Sequence, residues 1–288
     1  MAKGRELKGR IKTVENTRKI TRTMEMVATS KMKRASDRVL SARPYAIALG
    51  EVLSRVFSPD LAEQFPLLRR PVSVKKAAVI VLTANRGLAG GFNTNLLREA
   101  RARIAELEAK GTQVELHVVG KKGVGFFRYL GRAMAAQRAD ISDRPTSEDA
   151  ASLVNELMTR YEASDIDAVY MVYAQYKSAL STPPTTEQVL PVVPPATNST
   201  SKTTLDFILA PSAEAILEEL LPAYVRNAVY RALVETAAGE QSARRTAMKN
   251  ATDNATDILQ TLRRTYNTAR QAQITQEIAE IVGGAAAL

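Results

Sequence analysis

Cysteine and tryptophan are both absent from the 288 residues. Without cysteine there is no disulfide framework, no thiol nucleophile, no thiolate-ligated metal and no dithiol switch. Histidine occurs once, at His117 in the run Val114-Glu115-Leu116-His117-Val118-Val119. In a strand pattern that residue reads as structural, and one ring cannot make a histidine metal cluster. Aromatics are 5% of the chain, and none precedes Tyr45. No stretch of 18 or more residues is free of charge, so no membrane-spanning helix is expected. The start, Met1-Ala2-Lys3-Gly4-Arg5-Glu6, lacks the apolar core of a secretory signal, which points to a protein made and kept in the cytoplasm. Proline is missing before Pro44 and after Pro222, and after Pro211 the only glycines are Gly239, Gly283 and Gly284. Both ends can therefore be helical for a long way.

What is present is an ordinary apolar content, 45%, and a net charge of +10 that is unevenly placed. Residues 1–43 hold thirteen Lys/Arg against Glu6, Glu15, Glu25 and Asp37, whereas residues 212–288 carry eight basic and nine acidic side chains. Such a basic arm suits a solvated helix face, or an acidic partner that charge alone leaves open among nucleic acid, anionic lipid and protein.

In the N-terminal part apolar residues recur at Leu7, Ile11, Val14, then Ile20, Met24, Val27, and Ala28, Met32, Ala35, Val39, in helical steps. The C-terminal part repeats the pattern at Met248, Ala251, Ala255, Ile258, Leu262, Tyr266 and Ala269. A helix over about residues 3–57 would be roughly 80 Å long and one over about 212–282 roughly 105 Å, too long to fold into a domain of this size. One begins the chain and the other ends it, so the simplest pairing is an antiparallel coiled coil, closely packed because its seam is rich in alanine. Pro222 is expected to kink or interrupt the second helix.

The middle alternates strand and helix signals: a buried strand at Ala77–Thr83, a helix at Asn93–Ala109, a strand at Gln113–Val119 and a short helix near Lys121–Leu130. A strand near Arg132–Gln137, a helix at Ser147–Ala163 and a strand at Ala168–Ala174 follow. A hairpin-like return over Thr185–Val192 leads to the polar, Pro-rich loop Pro194–Lys202, and Leu205–Ala210 precedes the last helix. The fold class is α/β: a long antiparallel coiled coil of N- and C-terminal helices plus a central Rossmann-like α/β domain with a mainly parallel sheet. The expected divisions are 1–60, 72–210 and 211–288.

Two glycine-rich segments invite a phosphate-binding reading, because free amides at a helix N-terminus attract anions. The first, Ala84-Asn85-Arg86-Gly87-Leu88-Ala89-Gly90-Gly91-Phe92-Asn93, has neither G-x-G-x-x-G spacing nor the Lys-Ser/Thr of a P-loop. The plainer reading is a tight turn with Asn93 capping the next helix. The second, Gly120-Lys121-Lys122-Gly123, could hold an anion or be a strand-to-helix turn with a solvated lysine pair. Neither comes with an acid, base and nucleophile set, so an enzyme has little support. A nucleic-acid-binding coiled coil would rest on the basic arm alone, which lacks the interleaved aromatics of single-strand binders.

The stretch Val14-Glu15-Asn16-Thr17-Arg18-Lys19-Ile20-Thr21-Arg22-Thr23-Met24-Glu25-Met26-Val27-Ala28, with Ser30-Lys31-Met32, resembles the ATP synthase γ family. So do Arg86–Asn93 and the C-terminal run from Ala269 to Ala287, in the expected order and over essentially the whole chain. The resemblance implies a non-catalytic central-stalk rotor subunit, needing no cofactor or metal, that couples proton flow to ATP synthesis or hydrolysis. It implies a shaft inside a ring of three α and three β subunits, and a foot that meets the ε subunit and the membrane c-ring. No nucleic acid is implied, and the location is peripheral, on the cytoplasmic face of the bacterial inner membrane. Contacts with the β subunits are carried over to Met24, Arg270, Gln271, Thr275, Gln276 and Glu277, and contacts with the head bearing to Ala286 and Leu288. Ala89 stands where many bacterial relatives carry cysteine, and the cysteine-bearing insert of chloroplast relatives is absent, so thiol control of rotation is excluded.

Overall fold

The computed structural model describes residues 2–57, 64–193 and 212–286. Two long helices, α1 (Ala2–Val56) and α5 (Ala213–Ala286), begin and end the described chain. Between them run β1 (Lys76–Leu82), α2 (Phe92–Ala109), β2 (Gln113–Val119) and α3 (Lys121–Tyr129). Next come β3 (Ala136–Arg138), α4 (Ser147–Glu162), β4 (Ala168–Ala174) and β5 (Pro184–Leu190). The chain divides into two compact units, one of residues 1–29 with 244–288 and one of residues 30–243.

In the larger unit the five strands lie in the order β3-β2-β1-β4-β5. β1 pairs in parallel with β2 and β4, β2 in parallel with β3, and β5 returns antiparallel along β4. β1 and β4 are buried on both faces, as their unbroken apolar runs require in a sheet covered by helices. Ala77, Val79 and Val81 face α2 and α3 through Phe92, Leu96, Ala100, Ile104 and Phe127. Ala78, Ile80 and Leu82 face α4 through Val154 and Leu157. They also share that core with Leu53 of α1 and with Leu217, Leu221, Val225 and Val229 of α5. This burial explains why α5 runs through Pro222 without interruption, contrary to one of the two expected outcomes there. The bond that proline removes is outweighed by several buried side chains, each contributing about 1.5–3 kcal/mol.

Two further expectations are corrected. Asn93 does not cap α2: the cap is Gly91, and the Asn93 Oδ1 instead accepts from the Ala84 N–H at 2.9 Å, tying the helix to the chain leaving β1. The third strand begins at Ala136 rather than near Arg132, because Gly131, at φ +66°, closes α3 with bonds from Gly131 N to Arg128 O and from Arg132 N to Phe127 O. A capping box that the sequence reading passed over starts α4, with Thr146 and Asp149 bonding each other's backbone N–H at 3.2 and 2.9 Å. The expected loop Pro194–Lys202 and the segment Leu205–Ala210 lie outside the described residues.

A four-charge cluster joins β1, β2 and the end of α4. Arg160 grips Glu115 through both carboxylate oxygens at 2.8 and 3.0 Å and Asp165 at 2.7 Å, while Lys76 reaches Glu115 and Asp165 at 3.0 Å each. The Arg160 guanidinium, with help from Lys76 and against burial, holds the Glu115 carboxyl down to about 2. Its folded value is depressed below the ordinary 4.5, so the stability it contributes is fully present above that value and is lost as pH falls from 4.5 towards 2. Glu115→Gln should cost about 1–2 kcal/mol at neutral pH, allowing for solvent screening at a partly exposed site. It should also flatten the acid limb of the stability profile in that window. Urea titrations followed by circular dichroism between pH 2 and 7 test this, and an unchanged acid limb would show the pair to be energetically idle.

Candidate functional site

In the smaller unit, α1 and α5 pair antiparallel. Thr252 Oγ1 donates to Thr21 Oγ1 at 2.8 Å, and further along Arg263 bonds Glu15 at 2.5 Å. On α5 the residues most shielded are Met248, Thr252, Ala255 and Leu259, followed by the half-buried Leu262, Tyr266, Ala269 and Gln273. Alternating steps of four and three make this a heptad seam. It departs from the expected one at two places: Thr252 and Leu259 hold positions assigned to Ala251 and Ile258, and Ile258 is half exposed. The reason is that a threonine can sit in a seam when its hydroxyl is bonded, so the apolar residue beside it is not needed there. On α1 the same shift buries Thr21 in place of Ile20, while Ala28 is buried as expected.

The side chains this frees define a surface. Ile20, Met24 and Val27, spaced i, i+4, i+7, form an apolar stripe beside the seam, with Ile20 60% and Val27 51% exposed and Met24 half-buried. Beside it Lys12, Lys19 and Arg22 have no carboxylate partner among the described residues. A second stripe follows on α5 at Ile274, Ile278 and Ile281, 47–71% exposed. Its exposure has a structural cause. Thr21 is level with Thr252 and Glu15 with Arg263, so α1 begins opposite about residues 271–276 at 1.5 Å per residue, and α5 continues beyond with no described helix beside it. Arg270, Gln271, Thr275, Gln276 and Glu277 are all exposed around this stripe, with Glu277 accepting from Gln273 Nε2 at 2.9 Å. Met24 is level with about residue 249, roughly 30 Å along the axis from Arg270. The candidate contacts thus form two patches. Ala286 is the last residue of α5, and Leu288 lies outside the described residues. The stripe Ile274–Ile281 was visible in the sequence as an i, i+4, i+7 pattern but was not separated there from the polar residues around it.

In the larger unit, Tyr176, two residues past β4, fastens both long helices to the sheet. Its N–H donates to the buried Glu235 carboxylate of α5 at 2.8 Å, and its carbonyl accepts from Arg43 of α1 at 3.0 Å. Its hydroxyl donates to Ser36 Oγ at 3.2 Å, and its ring packs among Ala35, Val39, Val234 and Ala238. Burial raises the Glu235 carboxyl, opposed by the Tyr176 N–H bond and the nearby Arg231 and Arg43. Arg231 in turn bonds both Glu187 oxygens at 2.7 and 2.8 Å, and Tyr173 donates to Glu187 at 2.7 Å. Nothing in the local sequence signals this joint, since its members are 59 to 140 residues apart.

Both glycine segments are strand-to-helix turns, and in the second the amides are already used. At the start of α3 the N–H groups of Lys121, Lys122 and Gly123 donate to Asn85 Oδ1, Ala84 O and Thr83 Oγ1 at 2.9, 3.1 and 2.9 Å. Of the two readings of Gly120–Gly123, the turn is the one the geometry supports. Among the described residues no group of three or more His, Asp or Glu is arranged to hold a metal, and no helix is long and apolar enough to cross a membrane.

Paired terminal helices with uncovered apolar stripes, together with a doubly wound sheet unit, define the chain as a subunit of a larger assembly. The profile of the ATP synthase family matches residues 3–288. The chain belongs to that family, and it is similar over its full length to ATP synthase gamma chains. One, from Gemmatimonas aurantiaca, is 73% identical over all of this chain and 99% of its own length. Another, from Leptospira biflexa serovar Patoc, is 43% identical over the whole of both. A rotor chain in the Euglena gracilis mitochondrial ATP synthase shares the fold at a TM-score of 0.65 and 20% identity, over 95% of this chain and 99% of that one.

Proposed function

We propose that the chain is the rotating central shaft of a proton-translocating F-type ATP synthase, passing the turning of a membrane rotor ring to catalytic subunits while holding no catalytic site itself. The observation that carries this reading is the two uncovered apolar stripes on helices whose other faces are already paired. In the reading, segments 1–60 and 211–288 are the shaft within a ring of three α and three β subunits. Segment 72–210 is the foot that meets the ε subunit and the c-ring, peripheral to the cytoplasmic face of the bacterial inner membrane. Met24, Arg270, Gln271, Thr275, Gln276 and Glu277 meet the β subunits, and Ala286 and Leu288 turn in the apical bearing.

The mechanism follows from asymmetry. Two helices present different side chains in different directions, so each of three similar subunits feels a different contact energy. Only such differential energy can shift each subunit's conformational equilibrium as the shaft turns. The unpaired cations near Ile20–Val27 steer and register acidic loops more than they add affinity. The Tyr176 joint carries the load between shaft helices and sheet. With the amides of the Gly120–Gly123 turn committed internally and no P-loop spacing in Arg86–Asn93, neither glycine turn offers a ready triphosphate cradle.

The test is to purify the tagged chain and ask whether α and β subunits come with it, and whether ATP turnover disappears once they are removed. In the assembled complex Arg270→Ala/Gln271→Ala should lower ATP-driven proton pumping relative to ATP hydrolysis. Its helix content should stay unchanged, since exposed truncations cost under about 0.5 kcal/mol. Turnover by the isolated chain, or a double variant that pumps normally, would count against the reading.

A further inference from the structure

A cavity of about 340 Å³ lies in the larger unit at the carboxyl ends of β1 and β2, with the chain after β3 and one face of α5 closing it. In doubly wound sheets this is the edge where ligands bind, beside the strand at which the order reverses, here β1 between β2 and β4. Its walls combine apolar side chains, Leu82, Val119, Ile141 and Leu233, with polar ones such as Asn85, Ser142 and Thr236. Facing into it is Gln241, only 3% exposed and without a hydrogen-bond partner in the chain. With no partner in the chain, an amide on so enclosed a side chain is left to bond whatever occupies the cavity it lines.

The rim supplies the charge. Arg86 and Lys121 line the opening and are exposed; neither forms an ion pair within 4 Å among the described residues, although Arg86 is near enough to Asp143 to help hold its carboxyl down. The acids around them are committed: Asp140 to Arg138 at 2.7 and 2.8 Å, Asp143 to Lys31 at 2.7 Å, and Glu240 to an interaction within the chain. The α3 amides are spent, so an anion here would be read by the two side chains rather than by a phosphate-binding loop.

We propose that this cavity binds a small organic phosphate of nucleoside-monophosphate size, its amide-like ring edge paired with Gln241 and its phosphate held by Arg86 and Lys121. The volume falls at the small end of ligand pockets, which excludes a dinucleotide. Leu233, Thr236, Ala237 and Gln241 recur at helical spacing along α5, so the ligand would lie against the long helix itself. The inference rests on the cavity and is independent of the rotor reading, because it concerns the chain on its own.

The experiment titrates the full chain with AMP, with UMP, and with inorganic phosphate alone, by calorimetry and by hydrogen exchange over residues 233–241. The expected result is saturable binding of at least one nucleotide with Kd on the order of 1 mM or tighter, with slower exchange on that face of α5. Gln241→Leu removes the orphan amide while keeping the side-chain bulk, so it should leave the thermal midpoint equal or higher yet weaken binding about tenfold. Arg86→Ala/Lys121→Ala should weaken binding and reduce its salt dependence. Three results overturn the proposal: no saturable binding of either nucleotide up to about 10 mM, binding indifferent to Gln241→Leu, or phosphate alone binding as well as the nucleotides, which would mean an adventitious ion only.

Discussion

Gly120→Ala should be among the most damaging single-methyl changes in the sheet unit. Gly120 has φ +97°, and an added Cβ would stand 2.1 Å from the Thr83 carbonyl oxygen and 2.6 Å from its carbonyl carbon. Those atoms cannot yield as the end of a flexible side chain would. Thr83 N and Oγ1 both donate to Val119 O, at 2.8 and 2.7 Å, and Oγ1 accepts from Gly123 N. Left-handed backbone costs a side chain about 1–2 kcal/mol. Overpacking adds about 1–3 kcal/mol, against a total stability of about 5–15 kcal/mol for a domain. Gly131→Ala is the control: its φ is +66°, but nothing lies within 4 Å of the added methyl, so only the conformational cost applies. Denaturation followed by circular dichroism should separate the two variants by at least about 1 kcal/mol. If they unfold together, the close approach of the β1 and β2 ends is not what requires glycine at 120.

The same turn shows how far sequence could go. β1 and β4 were legible because of their long apolar runs, which is what a parallel sheet covered on both faces demands, and β2 because Val114, Leu116 and Val118 alternate with polar side chains. β3 was expected but placed about four residues early, since Ala-Gln-Arg carries little strand signal and its place is set by pairing with His117–Val119. Asn93 was read as a cap because local rules favour that use. The structure spends its amide on Ala84, across nine residues, and no local rule reports such a bond.

On the paired helices the periodicity located the coil but not its register. Ile20, Val27 and Ile258 looked like seam residues because they are apolar, yet they are exposed, and Thr21 and Thr252 take the shielded places. A hydroxyl pair at 2.8 Å satisfies itself where a single buried hydroxyl would be costly, so the seam tolerates two threonines together and would resist either alone. Apolar residues displaced from a seam are free to face a partner. Under the rotor reading, the polar residues carried over by resemblance, Arg270 to Glu277, and the exposed isoleucines beside them belong to one contact surface. Tyr176 marks the opposite limit: its bonds to Arg43, Ser36 and Glu235 are long-range in sequence and could not have been foreseen from any window of it.

Ala255→Leu is the change expected to do most harm to the shaft. Ala255 is 5% exposed, in the seam between Thr252 and Leu259, and it belongs to the expected positions that the structure keeps. A leucine there must be forced between two closely paired backbones, at a cost of about 1–3 kcal/mol. The helices can relieve it only by separating. Separation would lengthen the Thr252–Thr21 bond one turn away, leaving two hydroxyls buried and unpaired, so the local damage exceeds the added volume. Under the rotor reading, a splayed pair is too wide for a bore built around two helices, so the variant should assemble poorly with the catalytic head or turn with drag. Asp257→Ala, exposed and off the seam, should do neither. Thermal melting of the isolated chain and ATP-driven rotation of the complex separate two failures. Wild-type melting would mean that Ala255 is not tightly packed, whereas a splayed coil that still rotates freely would mean that the paired segment does not turn within a close-fitting bore.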